Sequence, residues 1–208
     1  MIQTMAPSNT HMKIGVLALQ GAFREHRLLL ESLGVPVKEV RLPDELHECN
    51  GLILPGGETT TQRMLAQRDG LWDPIQNMAR GGVPILGTCA GLILMARRID
   101  SLEGISLDLM DFDVVRNACG RQVYSFESSI RVPVLDHEPH RALFRAIFIR
   151  APRIVRVGAA VTVVCTHNDE AVALQQGNLL ALSFHPELTN DVRFHRYFLT
   201  LVYKNMQS

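Results

Sequence analysis

The sequence predicts a layered α/β domain on a mixed, largely parallel sheet, and three observations carry that prediction. Short apolar runs alternate with amphipathic segments of helical period through the first half of the chain. Several of those runs end directly on glycine-containing turns: Gln20-Gly21, Pro55-Gly56-Gly57 and Gly87 to Gly91. No composition break, long linker or internal repeat divides the 208 residues, a length that fits one ordinary domain. Alternation of this kind favours parallel strands joined by crossover helices.

The elements follow in order. Lys13 to Leu19 (KIGVLAL) is a buried strand, and after Gln20-Gly21 an amphipathic helix runs to Leu33, stopped by Gly34. Val35 to Val40 and Gly51 to Leu54 are short strands. Thr59 to Gln67 and Trp72 to Arg80 are helices separated at Asp69-Gly70. Val83 to Leu86 is an apolar strand that passes almost without a loop into a helix from Ala90 to Arg98. The second half is strand-rich: Phe112 to Arg116, Gln122 to Val132, Ala146 to Arg150, Ile154 to Val157, Val161 to Thr166, Ala171 to Gln175 and Leu179 to Phe184. Asn168-Asp169 and Gly177-Asn178 carry hairpin-turn chemistry, and Thr189 to Tyr203 closes the chain as a helix.

Composition removes several classes of function. With 47% hydrophobic residues and 20% charged ones, the chain is far from the disordered class. Its 21 basic and 21 acidic side chains cancel, so no overall attraction to nucleic acid or an anionic membrane is expected. No apolar run approaches the ~18 residues of a membrane span. Residues 1–11 are polar, lack the cationic and apolar regions of a signal peptide, and are expected as a tail outside a single domain over 12–208. Four cysteines, Cys49, Cys89, Cys119 and Cys165, form no C-x-x-C pair, so free thiols in a reducing, cytoplasmic setting are expected, with no metal site.

Chemistry concentrates at three strand ends. Gly87-Thr88-Cys89-Ala90-Gly91 has the G-x-nucleophile-x-G spacing of an elbow between strand and helix, with glycines where a Cβ would collide. The elbow lifts the thiol to the carboxyl edge of the sheet and sets it at a helix N-terminus, where partial positive charge favours thiolate. Taken alone, the segment also describes a buried cysteine beside a helix-packing glycine. His185-Pro186-Glu187 follows an apolar strand, and residues two apart on an extended segment project to one side, so imidazole and carboxylate can meet. A nucleophile, a base and a group that orients the base make the triad Cys89, His185, Glu187. Pro55-Gly56-Gly57-Glu58 offers backbone N–H groups for an oxyanion, with Gly57 and the Ala90 amide as the two donors; Glu58 could read a substrate ammonium or simply start a helix. His137-Glu138-Pro139-His140 reads as a polar loop, Cys165 as core, and Cys49 and Cys119 as loop residues. Arg97, Arg98, Arg141, Arg145, Arg150, Arg153 and Arg156 are interleaved with acidic and apolar residues, as on a solvated or partner-facing surface.

Together these strings resemble the class I (triad) glutamine amidotransferases, and within them one family. The matching segments are Val16 to Gly21 (VLALQG) with Arg24-Glu25-His26, and Leu52 to Glu58 (LILPGGE). They continue with Arg116-Asn117 and Gly120-Arg121-Gln122-Val123, Phe148 to Pro152 (FIRAP) and Phe184 to Leu188 (FHPEL). This set is similar to the glutaminase-subunit family of the two-component pyridoxal 5'-phosphate synthases, from about Met12 to the end of the chain. The resemblance implies a three-layer, flavodoxin-like fold and hydrolysis of L-glutamine to glutamate and ammonia. It implies a synthase subunit with a (β/α)8 barrel as the partner that takes the ammonia, with no cofactor in this chain. Glutamine would be held by Gly57, Glu58, Thr59, Arg116, Ile149 and Arg150. Thr59 stands where serine is usual, and its hydroxyl can do the same work; Cys119 stands where an aromatic is general and Tyr124 where aspartate is common, departures that bear on substrate fit or synthase contact in the Arg116 to Glu127 segment. A γ-glutamyl hydrolase or another amidotransferase subunit would share the elbow but is not expected to carry LALQG, GRQV and FIRAP together; against a catalytically silent module with an ordinary buried thiol stands the intact triad.

Overall fold

A computed structural model describes residues 12–100, 106–116, 125–135 and 143–208. Its centre is a seven-stranded sheet. The strands are β1 (Ile14–Leu17), β2 (Val37–Val40), β3 (Gly51–Leu54), β4 (Ile85–Thr88), β10 (Thr162–His167), β11 (Glu170–Gln176) and β12 (Leu179–Leu182), in the spatial order β10-β11-β12-β4-β3-β1-β2. From β12 to β2 every pair is parallel; β11 pairs antiparallel with both β10 and β12, so it alone runs against the other strands. The expected mixed, largely parallel sheet is therefore present.

Both faces of the sheet are covered, and the alternation of side chains along each strand assigns them. Leu52 and Leu54 point into one apolar cluster and Ile53 into the other; Ile85 and Leu86 divide the same way, as do Leu179 and Leu180. The first cluster is closed by α2 (Thr59–Arg68), α3 (Trp72–Arg80) and α4 (Ala90–Met95). A small sheet of β5 (Ala96–Ile99), β6 (Met110–Val115) and β9 (Arg153–Val157) completes that side. The second cluster lies under α1 (Phe23–Ser32), α5 (Arg193–Met206) and a hairpin of β7 (Ser125–Arg131) with β8 (Leu143–Ile149). Strands buried on both faces explain the near-continuous apolar runs.

Most predicted elements stand within a few residues of their expected limits, and two differ for identifiable reasons. The helix expected from Ala90 to Arg98 ends at Met95, and Ala96–Ile99 pairs in parallel with β6. Exposed Arg97 and Arg98 alternate with buried Ala96 and Ile99, a period of two that the preceding fully apolar helix hides. The closing helix starts at Arg193 rather than Thr189, after a short 3-10 turn over Pro186–Leu188 that Pro186 opens, and the Asp191 carboxylate accepts the Arg193 N–H at 3.1 Å at its start. Asn168 and Asp169 both take positive φ, 49° and 64°, as a tight hairpin turn requires. Cys165 is core as expected, but Cys49 is also buried, its thiol donating to the Glu45 carbonyl at 3.3 Å. Cys119, Tyr124, the Gly120 to Val123 string, His137 to His140 and Arg141 lie outside the described residues. Of the arginines read as interleaved with acids, Arg97 and Arg156 meet Asp111, Arg156 also meets Asp113, and Arg145 grips Glu127 through two hydrogen bonds of 2.8 Å.

Candidate active site

Strand order alone brings the three chemical segments together. β12, β4, β3 and β1 are neighbours and parallel, so their carboxyl ends share one edge of the sheet. Leu182 pairs with Thr88 and Leu54 with Gly87, which sets His185, Cys89 and Gly56 side by side just beyond the last paired residues. A crevice at that edge is where open α/β sheets bind ligands.

Cys89 holds the backbone that the elbow spacing predicts. Its φ of 47° and ψ of −100° are strained for a residue with a Cβ and persist only because the surroundings fix them. Its N–H donates to the Leu182 carbonyl at 2.8 Å. A Cβ on Gly91 would stand 1.9 Å from the Leu54 carbonyl oxygen, so α4 can approach β3 only with glycine there. Cys89 is 7% exposed, and its thiol points at the Ile149 carbonyl, 3.7 Å away.

The imidazole of His185 lies against this thiol. Its Nδ1 meets Glu187 Oε1 at 2.6 Å, and both side chains are buried. Burial disfavours the charged ring, but hydrogen bonds to Cys89 and Glu187 outweigh it and push the His185 pKa up to about 10. The ring therefore sits as an imidazolium between a sulfur and a carboxylate. Gly56 makes room for it, since a Cβ there would come within 2.3 Å of the ring.

The glycine loop after β3 is pinned from two directions. Gly56 N–H donates to Thr88 Oγ1 at 3.0 Å, and the Gly56 carbonyl accepts from Ala22 N–H at 2.9 Å. Gln20 Oε1 accepts the Glu58 N–H at 2.7 Å. Glu58 caps α2, its carboxylate accepting from the amide and hydroxyl of Thr61 at 3.0 and 3.1 Å, so the helix-starting role is realised. A cleft of about 370 Å3 opens over these groups. It is lined by Gly57, Glu58, Thr59, Cys89, Arg116, Ile149, Arg150 and His185 among others. Ala90, the other expected oxyanion donor, follows Cys89 as the first residue of α4. Arg116 reaches the cleft from the end of β6 and donates to Thr60 Oγ1 at 3.3 Å. Every expected site residue other than Glu187 and Ala90 lines the cleft; those two are buried, Glu187 bonded to His185 and Ala90 next in the chain to Cys89.

Sequence reasoning assigned no role to the groups behind the triad. His26 of α1 is fully buried, with Nδ1 3.0 Å from His195 Nε2 and Nε2 3.1 Å from Thr88 Oγ1. Its Nε2 also lies 3.4 Å from Glu187 Oε2. The available signal was an imidazole on the buried face of each amphipathic helix, beside Leu30 in α1 and Phe194 and Phe198 in α5. That signal says the ring is inside without saying what it meets.

A sheet with a cysteine elbow, a histidine and a glutamate on adjacent strand ends has the class I glutamine amidotransferase fold. A solved glutamine amidotransferase superposes with a TM-score of 0.85 and 45% identity, over 91% of this chain and 98% of its own. The PurLQS structure from Thermotoga maritima shares the fold alone, at a TM-score of 0.68 and 18% identity, covering 95% of this chain and 98% of the other. The family model described as SNO glutamine amidotransferase matches residues 16–204, and the chain belongs to that family. Its relatives include the pyridoxal 5'-phosphate synthase subunit PdxT of Herpetosiphon aurantiacus, 53% identical over 91% of this chain and 100% of the relative. The protein of the same name from Pelotomaculum thermopropionicum is 50% identical over 90% of this chain and 94% of its own.

Proposed function

We propose that this chain is the glutaminase subunit of a pyridoxal 5'-phosphate synthase, a single catalytic domain over 12–208 that works in the cytoplasm. The observation that carries the reading is the meeting of Cys89, His185 and Glu187 at the ends of two adjacent parallel strands, beside a glycine loop over an open cleft. Identity near one half to proteins named as PdxT supports the assembly and the metabolic context.

The chemistry follows from the groups present. The Cys89 thiolate attacks the carboxamide carbon of glutamine, forming a C–S bond and moving the carbonyl electrons onto oxygen. Backbone N–H groups of Gly57 and Ala90 receive that oxyanion, each such donor contributing about 3–4 kcal/mol in comparable sites. His185 gives its proton to the departing nitrogen, which leaves as ammonia and a thioester on Cys89. Water then attacks the thioester with His185 as base, releasing glutamate and restoring the thiol. Glu187 holds the ring orientation and stabilises the imidazolium throughout. Glu58, Thr59, Arg116, Ile149 and Arg150 bind the amino acid end of glutamine, Arg116 and Arg150 being the cations suited to its carboxylate. Ammonia passes to the synthase subunit, a (β/α)8 barrel by family resemblance, and no cofactor is needed for hydrolysis of an amide.

Glutamate release from glutamine, measured with and without the synthase subunit, tests this reading. Release that needs Cys89 supports it. No release in the presence of the synthase, or full release by Cys89→Ala, overturns it.

A further inference from the structure

Glu187 uses one carboxylate oxygen on His185, and the other is sealed from solvent. Oε2 makes no short hydrogen bond among the described residues, and the polar atom recorded near it is His26 Nε2 at 3.4 Å. A buried carboxylate oxygen facing no donor would cost several times an ordinary lost hydrogen bond. The protonation pattern of the two histidines follows from that constraint. If His26 carries its proton on Nε2, the N–H faces Glu187 Oε2 and Thr88 Oγ1, and Nδ1 accepts from His195 Nε2–H at 3.0 Å. The reverse pattern points a lone pair at the carboxylate and leaves a buried N–H on His195 Nδ1, an atom with no hydrogen-bond partner among the described residues. The first pattern turns an N–H rather than a lone pair toward the charged group, and it leaves His195 Nδ1 as a neutral lone pair instead of an unmet N–H.

We propose that His26 is a positioning residue of the catalytic triad, its Nε2–H steadying the outer oxygen of Glu187 while His195 fixes the tautomer of His26 from behind. The inference rests on Cys89, His185 and Glu187 acting as the triad. Both helices then contribute to catalysis from the far side of the wall, α1 through His26 and α5 through His195. Thr88 ties the same ring to the glycine loop, because its hydroxyl also accepts the Gly56 N–H. The titratable groups facing His26 are His195 from α5 and Glu187 and His185 from the segment after β12. Burial and the neighbouring histidines hold His26 well below its ordinary range, so it stays neutral and serves as a fixed donor.

Two substitutions separate positioning from packing. His26→Phe fills the space without a donor, and His26→Gln places an amide N–H near the Nε2 position. Without the donor, the Glu187 carboxylate turns away from its place beside His185, the imidazolium loses its counter-charge, and Cys89 reacts as thiolate less readily. Alkylation of Cys89 by iodoacetamide, followed by peptide mass spectrometry across pH, reads this in the lone protein and needs neither glutamine nor synthase. In His26→Phe the inflection for Cys89 is expected about one pH unit higher than in wild type. Glutamate release with synthase is expected to fall about 10- to 100-fold in kcat with little change in KM. His26→Gln is expected to return most of both. Thermal unfolding of each variant accompanies these measurements. An unchanged Cys89 profile and kcat in folded His26→Phe overturn the proposal and leave the triad standing. A profile that shifts equally in both folded variants also overturns it, since packing alone would then be at work. Should wild type with synthase release no glutamate, the triad reading fails and takes this inference with it.

Discussion

Cys165 sits in the central sheet and Cys89 just beyond the end of one of its strands, at 4% and 7% exposure, and only one of them is built for chemistry. Cys165 lies within β10, among the apolar side chains of the second cluster, and burial alone pushes its thiol up to about 12. Cys89 stands one residue past the end of β4 with a positive φ, and a charged ring is held against its sulfur. The difference teaches that burial does not decide whether a thiol is inert. What decides is whether the strand continues past the residue or turns away from it, because only a turn leaves space for a base.

Removing the sulfur gives the largest contrast. Cys89→Ala is expected to lower glutamate release at least about 1,000-fold, whereas Cys165→Val keeps it within about twofold and changes stability by about 1 kcal/mol. A steady-state assay with synthase beside a denaturation curve checks both, and comparable losses in the two variants would erase the distinction. Breaking the turn rather than the sulfur comes next. Gly91→Ala forces a Cβ onto the Leu54 carbonyl oxygen, so the elbow must shift and stability is expected to fall by about 2–4 kcal/mol, read by urea unfolding.

Selective alkylation sharpens the comparison without substituting the cysteines. Near pH 7 iodoacetamide is expected to label Cys89 well ahead of Cys165 and of Cys49, whose thiol burial raises to about 11. Peptide mapping that finds Cys165 labelled first would contradict this account.

The smallest effects are on stability against pH, and the buried histidines pull in opposite directions. His185 has a folded value of about 10 against an ordinary 6.5, so its contribution is full below about pH 6.5 and is lost as pH rises through about 10. His195 is held at about 4 by burial, so the unfolded chain takes up a proton that the folded one refuses, and stability falls as pH drops from about 6.5 towards 4. Melting temperatures over pH 4 to 10 are expected to show both slopes, the alkaline one reduced in His185→Gln and the acid one in His195→Phe. Slopes that survive these substitutions would assign the titration to other groups.

Much of the site was legible because its pieces are local. Gly87-x-Cys89-x-Gly91 announces a turn by the residues that alone fit it, and His185-Pro186-Glu187 announces a carboxylate beside an imidazole by spacing on an extended chain. The break at Ala96 was hidden because Ala90–Met95 is apolar on every side and gives no period to lose. His26 and His195 were equally opaque, since a buried ring on a helix face reports its depth and not its neighbour.

By itself, then, the sequence determined the alternation of strands and helices, the turns that end β3 and β4, and the residue types able to attack, relay and orient. Those properties depend on neighbours within a few residues, where chain geometry leaves little choice. Only the tertiary structure decided that β12 lies beside β4, and so that His185 reaches Cys89 across 96 residues of chain. It alone decided which oxygen of Glu187 faces His26 and which meets His185. Contacts between distant segments follow from strand order and packing of the whole sheet, and no local pattern in the chain encodes them.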